Sequence, residues 1–145
     1  MAQVNSKKVE IFIDGAARGN PGPAGLGVII KDETKKTIKE FYKYIGIATN
    51  NIAEYNALVY GLQEAHMLGV DEVMLNLDSE LVAQQLKGDF RVKDPKIKLL
   101  FDQAIHLING FKRFEVNHIR RDNNKEADKL ANKAINLSEL KRQVE

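Results

Sequence analysis

The 145-residue chain predicts an α/β fold with one five-stranded mixed sheet, three antiparallel strands leading into two parallel ones. Three observations carry that reading. Near the N-terminus a glycine- and proline-rich connection, Gly15 to Gly25, joins two apolar runs of β character, which marks an antiparallel hairpin. Helical patterns then alternate with two short apolar runs, as in parallel strands joined by right-handed crossovers. Finally, the first and fourth β runs both stop at an aspartate, Asp14 and Asp78, so acids gather at one end of the sheet.

Taken in order, Val9, Ile11 and Ile13 share one face of a period-two pattern, and Phe12 and Asp14 share the other. Asp14 thus belongs to the sheet. Gly15, Gly19, Gly22 and Gly25, with Pro21 and Pro23, read as a connection whose backbone comes close to another molecule before Leu26 to Ile30 resumes the sheet. Lys35 to Ile45 alternates polar and β-favouring residues, a third strand on a half-exposed sheet. Thr49, Asn50 and Asn51 are residue types that satisfy the free N–H groups of a first helical turn, and the helix they open runs to about His66, with Gly69 beyond.

The inward stripe of that helix is Leu58, Gly61, Leu62 and Ala65, and four residues before Leu58 stands Glu54. An acid heads the apolar face; the alternative is a first-turn Glu favoured by the helix dipole. Val73 to Leu77 is a short buried strand ending at Asp78, which either caps the helix from Ser79 to about Gly88 or stands free for chemistry. Pro95 opens another helix that ends near Gly110. Phe114 to Ile119 is the last strand, and Arg120 to Asn124 a polar loop. The final helix turns Ala127, Leu130, Ala131, Ala134 and Ile135 inward, with Asp128 bordering the stripe. One domain over 1–145 is expected, its core at about 8–136 and a charged tail at 138–145.

With 43% hydrophobic and 29% charged residues the chain buries a core without staples. A net charge of +2 is too mild to signal nucleic-acid binding by itself. The lack of cysteine excludes disulfides, a thiolate nucleophile and zinc held by sulfur, and His66, His106 and His118 have no metal-ligand spacing. The start, MAQVNSKKVE, lacks an apolar segment, and no run approaches the roughly 20 apolar residues that span a bilayer. A cytoplasmic monomer without membrane attachment is expected.

If the first and fourth strands are neighbours, Asp14 and Asp78 meet at the strand ends, and Glu54 and Asp128 reach them from helices. Four crowded carboxylates repel unless a cation compensates them. Oxygen ligands without histidine or cysteine suit magnesium or manganese, which use a few carboxylates, waters and substrate phosphate oxygens. A pair of such ions serves in-line phosphoryl displacement, so the chemistry expected is phosphodiester hydrolysis.

From about Lys8 to about Ile135, through DGAARGNPGPAG, TNNIAEYNAL, LDSELV and HIRRDNNKEADKLAN, the chain resembles the type 1 ribonucleases H. The resemblance implies a five-stranded sheet flanked by helices, two magnesium ions with manganese as substitute, and cleavage of the RNA strand of RNA–DNA hybrids to 5′-phosphate and 3′-hydroxyl ends. Motif position makes Asp14, Glu54, Asp78 and Asp128 the metal-binding acids. Asn20, Asn50 and Asn51 match positions at the minor groove, where a 2′-hydroxyl is sensed, and Thr49 one that holds a DNA phosphate; all four also read as turn or cap residues.

Glu80 stands where many relatives carry Gln, which bears on RNA discrimination and leaves open a broader ribonuclease that also cuts double-stranded RNA. A binding module of the same fold without catalysis is the other alternative. His118, ten residues before Asp128, matches a mobile histidine that assists proton transfer and product release, although glycines are missing from the loop after it; Arg120 or Arg121 offers an electrostatic substitute. Asn124 reads as a helix cap or a substrate contact. Some bacterial relatives grip hybrid with a basic, tryptophan-bearing protrusion, and Gly88 to Lys98 is too short for it. Lys87, Arg91, Lys93 and Lys96 offer a smaller grip.

Overall fold

The computed structural model describes residues 7–144; residues 1–6 and Glu145 lie outside it, and with them most of the polar start read above for a leader. Strands β1 (Lys8–Ala17), β2 (Gly22–Lys31) and β3 (Thr37–Ala48) are followed by α1 (Asn50–Met67), β4 (Glu72–Leu77), α2 (Glu80–Leu86), α3 (Pro95–Ile108), β5 (Arg113–His118), a 3₁₀ turn at Arg121–Asn123 and α4 (Lys125–Val144). The sheet order is β3-β2-β1-β4-β5. β1–β2 and β2–β3 pair antiparallel, β1–β4 and β4–β5 parallel, as the sequence predicts.

The period-two pattern of β1 divides the molecule into two layers. Val9, Ile11 and Ile13 are buried with Leu58 and Leu62 of α1 in the main core, and α3 packs behind α1. The other face lies under α4, which crosses β1, β2 and β3. Two glycines of β2 allow that helix to come close. A Cβ on Gly25 would fall 2.6 Å from the Ala131 carbonyl oxygen, and one on Gly27 would run into the Ala127 carbonyl. The glycine-rich stretch is therefore not one long connection, as expected, because Gly15 lies in β1 and Gly22 and Gly25 in β2, with residues 18–21 alone between the strands. Much of its small-residue composition serves helix packing.

β3 runs three residues beyond the expected Ile45. At Gly46, with φ of +82°, the pairing with β2 shifts register, and the strand continues to Ala48. Residues 138–144, expected as a charged tail, continue α4. Arg18 ties this part of the helix down, donating to Asn136 Oδ1 at 2.6 Å and pairing with Glu139 at 3.3 Å, and ELKRQ is strong helix-forming composition. Leu130 is half-buried, at the edge of the inward stripe of Ala127, Ala131, Ala134 and Ile135. Among the described residues no helix is long and apolar enough to cross a membrane.

Candidate active site

Parallel pairing of β1 with β4 aligns Phe12 with Asn76. Two residues on come Asp14, still within β1, and Asp78, just past the end of β4, with carboxylate oxygens within 4.8 Å of each other. Asp78 is not the cap of α2. Ser79 takes that role, its Oγ accepting the Val82 N–H at 3.3 Å, which leaves the Asp78 carboxylate for the site.

Glu54 comes from the opposite layer. It is the fifth residue of α1, past the first turn, so the dipole does not explain it. Thr49 caps the helix, Oγ1 accepting the Ile52 N–H at 3.2 Å, and Gly15 sets how close the helix comes. A Cβ at Gly15 would collide with the backbone of Ala53 and Glu54. Glycine there lets α1 rest on the end of β1 and bring Glu54 to Asp14 and Asp78. One carboxylate oxygen from each of the three lies within 4.8 Å of the others.

Asp128, in the first turn of α4, stands against Asp14 at the edge of this triad. Two amides hold the acids in place. Asn132, one turn on, donates to Asp128 Oδ1 at 3.2 Å. Asn124 is buried, 2% exposed. Its Nδ2 donates to the Ile13 carbonyl at 2.8 Å and to Asp78 Oδ2 at 3.0 Å, joining β1 and the end of β4. Its own carbonyl accepts the Asp128 N–H at 3.1 Å, so the backbone sits at a cap while the side chain turns inward. Asn124 thus stands at the cap position before α4, as one reading of the sequence has it, while both its amide hydrogens are spent inside the protein on Ile13 and Asp78. Asn132 escaped notice in the sequence, although its i+4 spacing from Asp128 was the available signal.

The cluster is electrostatically unbalanced without a cation. Burial first, then Glu54 and Asp78, with Asp128 adding to them, push Asp14 up to about 10. Burial and Asp78 push Glu54 up to about 8, against the opposing pull of the Gly15 N–H, Asp14 and the Arg121 guanidinium. Glu54 Oε2 is buried and has no partner among the described residues. An orphaned carboxylate oxygen among oxygen donors alone fits a hard divalent cation, with Asp14, Glu54 and Asp78 as its holders and Asp128 beside them.

Around the acids, Arg121 is exposed and near enough to act on Glu54, whereas Arg120 is exposed one residue earlier. His118, the last residue of β5, is exposed with Nε2 3.3 Å from the Asp78 carbonyl oxygen, so its ring does not lie buried in the sheet face. Glu80 opens α2, exposed. Asn20, Thr49, Asn50 and Asn51 line a cleft of about 820 Å³ with Asp94, Pro95 and Lys96. Asn50 accepts the Ala17 N–H through Oδ1 at 3.0 Å, and Asn20 Oδ1 accepts the Asn50 N–H at 3.0 Å.

Comparison with known proteins bears on the family and the fold. Residues 12–134 match the family described as Reverse transcriptase-like. A bifunctional protein of Mycobacterium tuberculosis is 42% identical over 132 residues, 90% of this chain and 36% of that protein. Ribonuclease HI of Halobacterium salinarum is 40% identical over 128 residues, 88% of this chain and 64% of the relative. The chain thus spans from about a third to just under two thirds of the length of these relatives. The crystal structure of LC11-RNase H1 in complex with an RNA/DNA hybrid superposes with a TM-score of 0.86 at 43% identity, covering 90% of this chain and 98% of that one. In fold, in matched sequence and in the acids that converge at the ends of β1 and β4, the chain belongs to the type 1 ribonuclease H family.

Proposed function

We propose that the chain hydrolyses the RNA strand of RNA–DNA hybrids at internal phosphodiesters, with divalent magnesium, leaving 5′-phosphate and 3′-hydroxyl ends. The observation that carries this reading is the convergence of Asp14, Glu54 and Asp78 within 4.8 Å, with Asp128 alongside. A family member that had turned into a binding module would have no need to maintain so costly a cluster. Asp14, Glu54, Asp78 and Asp128 would hold the magnesium, two ions in the full mechanism, which would supply the charge to make water nucleophilic and to neutralise the leaving oxygen.

The chain's own groups do the rest. Asn124 and Asn132 fix the direction of the Asp78 and Asp128 carboxylates. With Oδ1 already engaged in both Asn20 and Asn50, each presents Nδ2 as a donor, and the exposed Asn51 retains its whole amide, a set suited to the minor-groove edge and the 2′-hydroxyl. Thr49 accepts from Ile52 as a cap and still has a hydroxyl hydrogen for a phosphate of the DNA strand. In this reading Arg121, near the acids, serves as a permanent cation for the scissile phosphate, and His118, exposed with Nε2 3.3 Å from the Asp78 carbonyl oxygen, carries a proton toward the leaving group.

The test is cleavage of an end-labelled RNA–DNA hybrid in magnesium beside matched duplex RNA, duplex DNA and single-stranded RNA, with Asp14→Asn as control. Hybrid-only cleavage, lost in the variant, with 5′-phosphate products is the result expected. Comparable cleavage of duplex RNA would replace this reading with a broader ribonuclease and point to Glu80. No cleavage in magnesium or manganese, with hybrid still bound, would leave a binding module.

A further inference from the structure

Gln85 is buried in the last turn of α2, 7% exposed, and neither of its amide ends is idle. Its Oε1 accepts the hydroxyl of Tyr55 at 2.6 Å, and its Nε2 donates to the backbone carbonyl of Arg91 at 3.2 Å. Tyr55 is 1% exposed and immediately follows Glu54 on α1. The Tyr55 hydroxyl donates to Oε1, which fixes which end of the amide points to it. The single direction left to Nε2 is the loop.

That loop, from Lys87 to the Asp94 cap of α3, has little else to define it. Gly88 takes a φ of +85°, the N–H groups of Asp89 and Phe90 turn back to the Gln84 carbonyl at 2.9 and 3.4 Å, and Val92 is half-buried against the core. Between these anchors Lys87, Arg91 and Lys93 are exposed, and so is Phe90, at 52%. The loop starts one short helix from Asp78, α2 having seven residues or about 10 Å of length. It ends at Asp94 and Pro95 in the cleft that holds Asn20, Thr49, Asn50 and Asn51. It therefore runs from the far end of the helix that follows Asp78 to the cleft, along the path a hybrid takes if the reading above holds.

We propose that Gln85 is a positioning residue for substrate, a buried amide that clamps the basic loop 87–94 to the helix carrying Glu54, so that the grip on hybrid and the acid cluster keep one fixed spacing. The inference rests on the ribonuclease H reading for its substrate, and on the hydrogen-bond pair for its mechanism. Loss of Nε2 leaves the Arg91 carbonyl without its partner, the loop samples other positions, and the cations lose register with the phosphates. Loss of the Tyr55 hydroxyl alone leaves Nε2 bonded but free to turn.

The experiment compares Gln85→Met, Tyr55→Phe and the loop variant Lys87→Ala/Arg91→Ala/Lys93→Ala, each also combined with Gln85→Met, in the full chain on labelled hybrid across a salt series. Expected for Gln85→Met are a KM raised about 3- to 10-fold, kcat within about twofold, and a salt dependence of KM shallower by about one phosphate contact. Tyr55→Phe should shift the same quantities in the same direction, by less. In the background without the loop cations, Gln85→Met should change KM little, because the groups it places are gone. Equal effects of Gln85→Met with and without the loop cations, or a fall in kcat with KM unchanged, overturns the proposal and makes Gln85 a packing residue. Hydrogen exchange of the loop amides in the free protein keeps the two readings apart. Faster exchange at 87–94 in both single variants upholds the clamp even if wild type cuts no hybrid, and unchanged exchange in both refutes it whatever the activity.

Discussion

Asp14→Asn should abolish cleavage and yet stabilise the metal-free protein, with a size that depends on pH. An ordinary aspartate has lost its proton above 3.8, whereas Asp14 in the folded chain holds it up to about 10. Between those values the folded state binds more protons than the unfolded one, so folding stability falls as pH rises. Glu54, held up to about 8 against its ordinary 4.5, acts in the same sense over a narrower window. One such proton costs about 1.4 kcal/mol per pH unit, so Asp14 alone removes about 4 kcal/mol of stability at pH 7 relative to acid.

Asparagine has the shape of the protonated acid, so the variant should gain about 2 to 4 kcal/mol at pH 7 in chelator, a rise of roughly 5 to 15 °C in Tm for a chain of this length. Near pH 4 the two proteins should converge. Magnesium should reverse the order at neutral pH, because it stabilises the wild-type cluster by binding the folded state and has fewer charges to bind in the variant. The assay is thermal and urea unfolding from pH 4 to 9 in chelator and in magnesium. If Asp14→Asn equals or falls below wild type in chelator at pH 8, the acids are not in conflict and the metal-centred account of the site fails.

Other substitutions test how the cluster is assembled. Gly15→Ala should push α1 off the end of β1 and cut kcat by more than about 100-fold, a reacting group displaced by an ångström costing that much; steady-state rates beside a circular dichroism spectrum check it, and near-normal kcat would show that Gly15 does not set the approach. Asn124→Ala should cost about 1–3 kcal/mol by leaving the Ile13 carbonyl unpaired and should lower kcat more than it raises KM, read by urea unfolding and hybrid kinetics. Metal binding at pH 7 should release one to two protons per cluster, about the number that Asp14 and Glu54 retain, and calorimetry in buffers of different ionisation enthalpy measures it; zero release would mean the acids are already charged.

The sheet and the four acids were legible because each is written as a period. Alternation of Val9, Ile11 and Ile13 against Phe12 places Asp14 in the sheet, the helical stripe through Leu58 leads back to Glu54, a strand stopping at Asp78 marks the third acid, and Asp128 borders the stripe of the last helix. What stayed hidden is what holds the acids together, since a glycine or asparagine has no period and several common uses. Gly15 and Gly27 are alike in sequence, but one admits α1 and the other α4, from opposite faces of the same sheet. Asn124 offered itself as a cap, and only the meeting of β1, β4 and α4 shows that its amide is consumed by Ile13 and Asp78.

The same limit applies to charge. In sequence the net +2 hides an acidic cluster that opposes its own ionisation, because the conflict arises between residues 40 and 64 positions apart and exists only once the fold closes them within 4.8 Å. That is also why the site is tolerable to the fold. Its cost falls at the strand ends, away from the apolar layer of Ile11, Ile13, Leu58 and Leu62 that drives folding, so the cluster can be strained in the free protein and relieved by a cation without the sheet having to move.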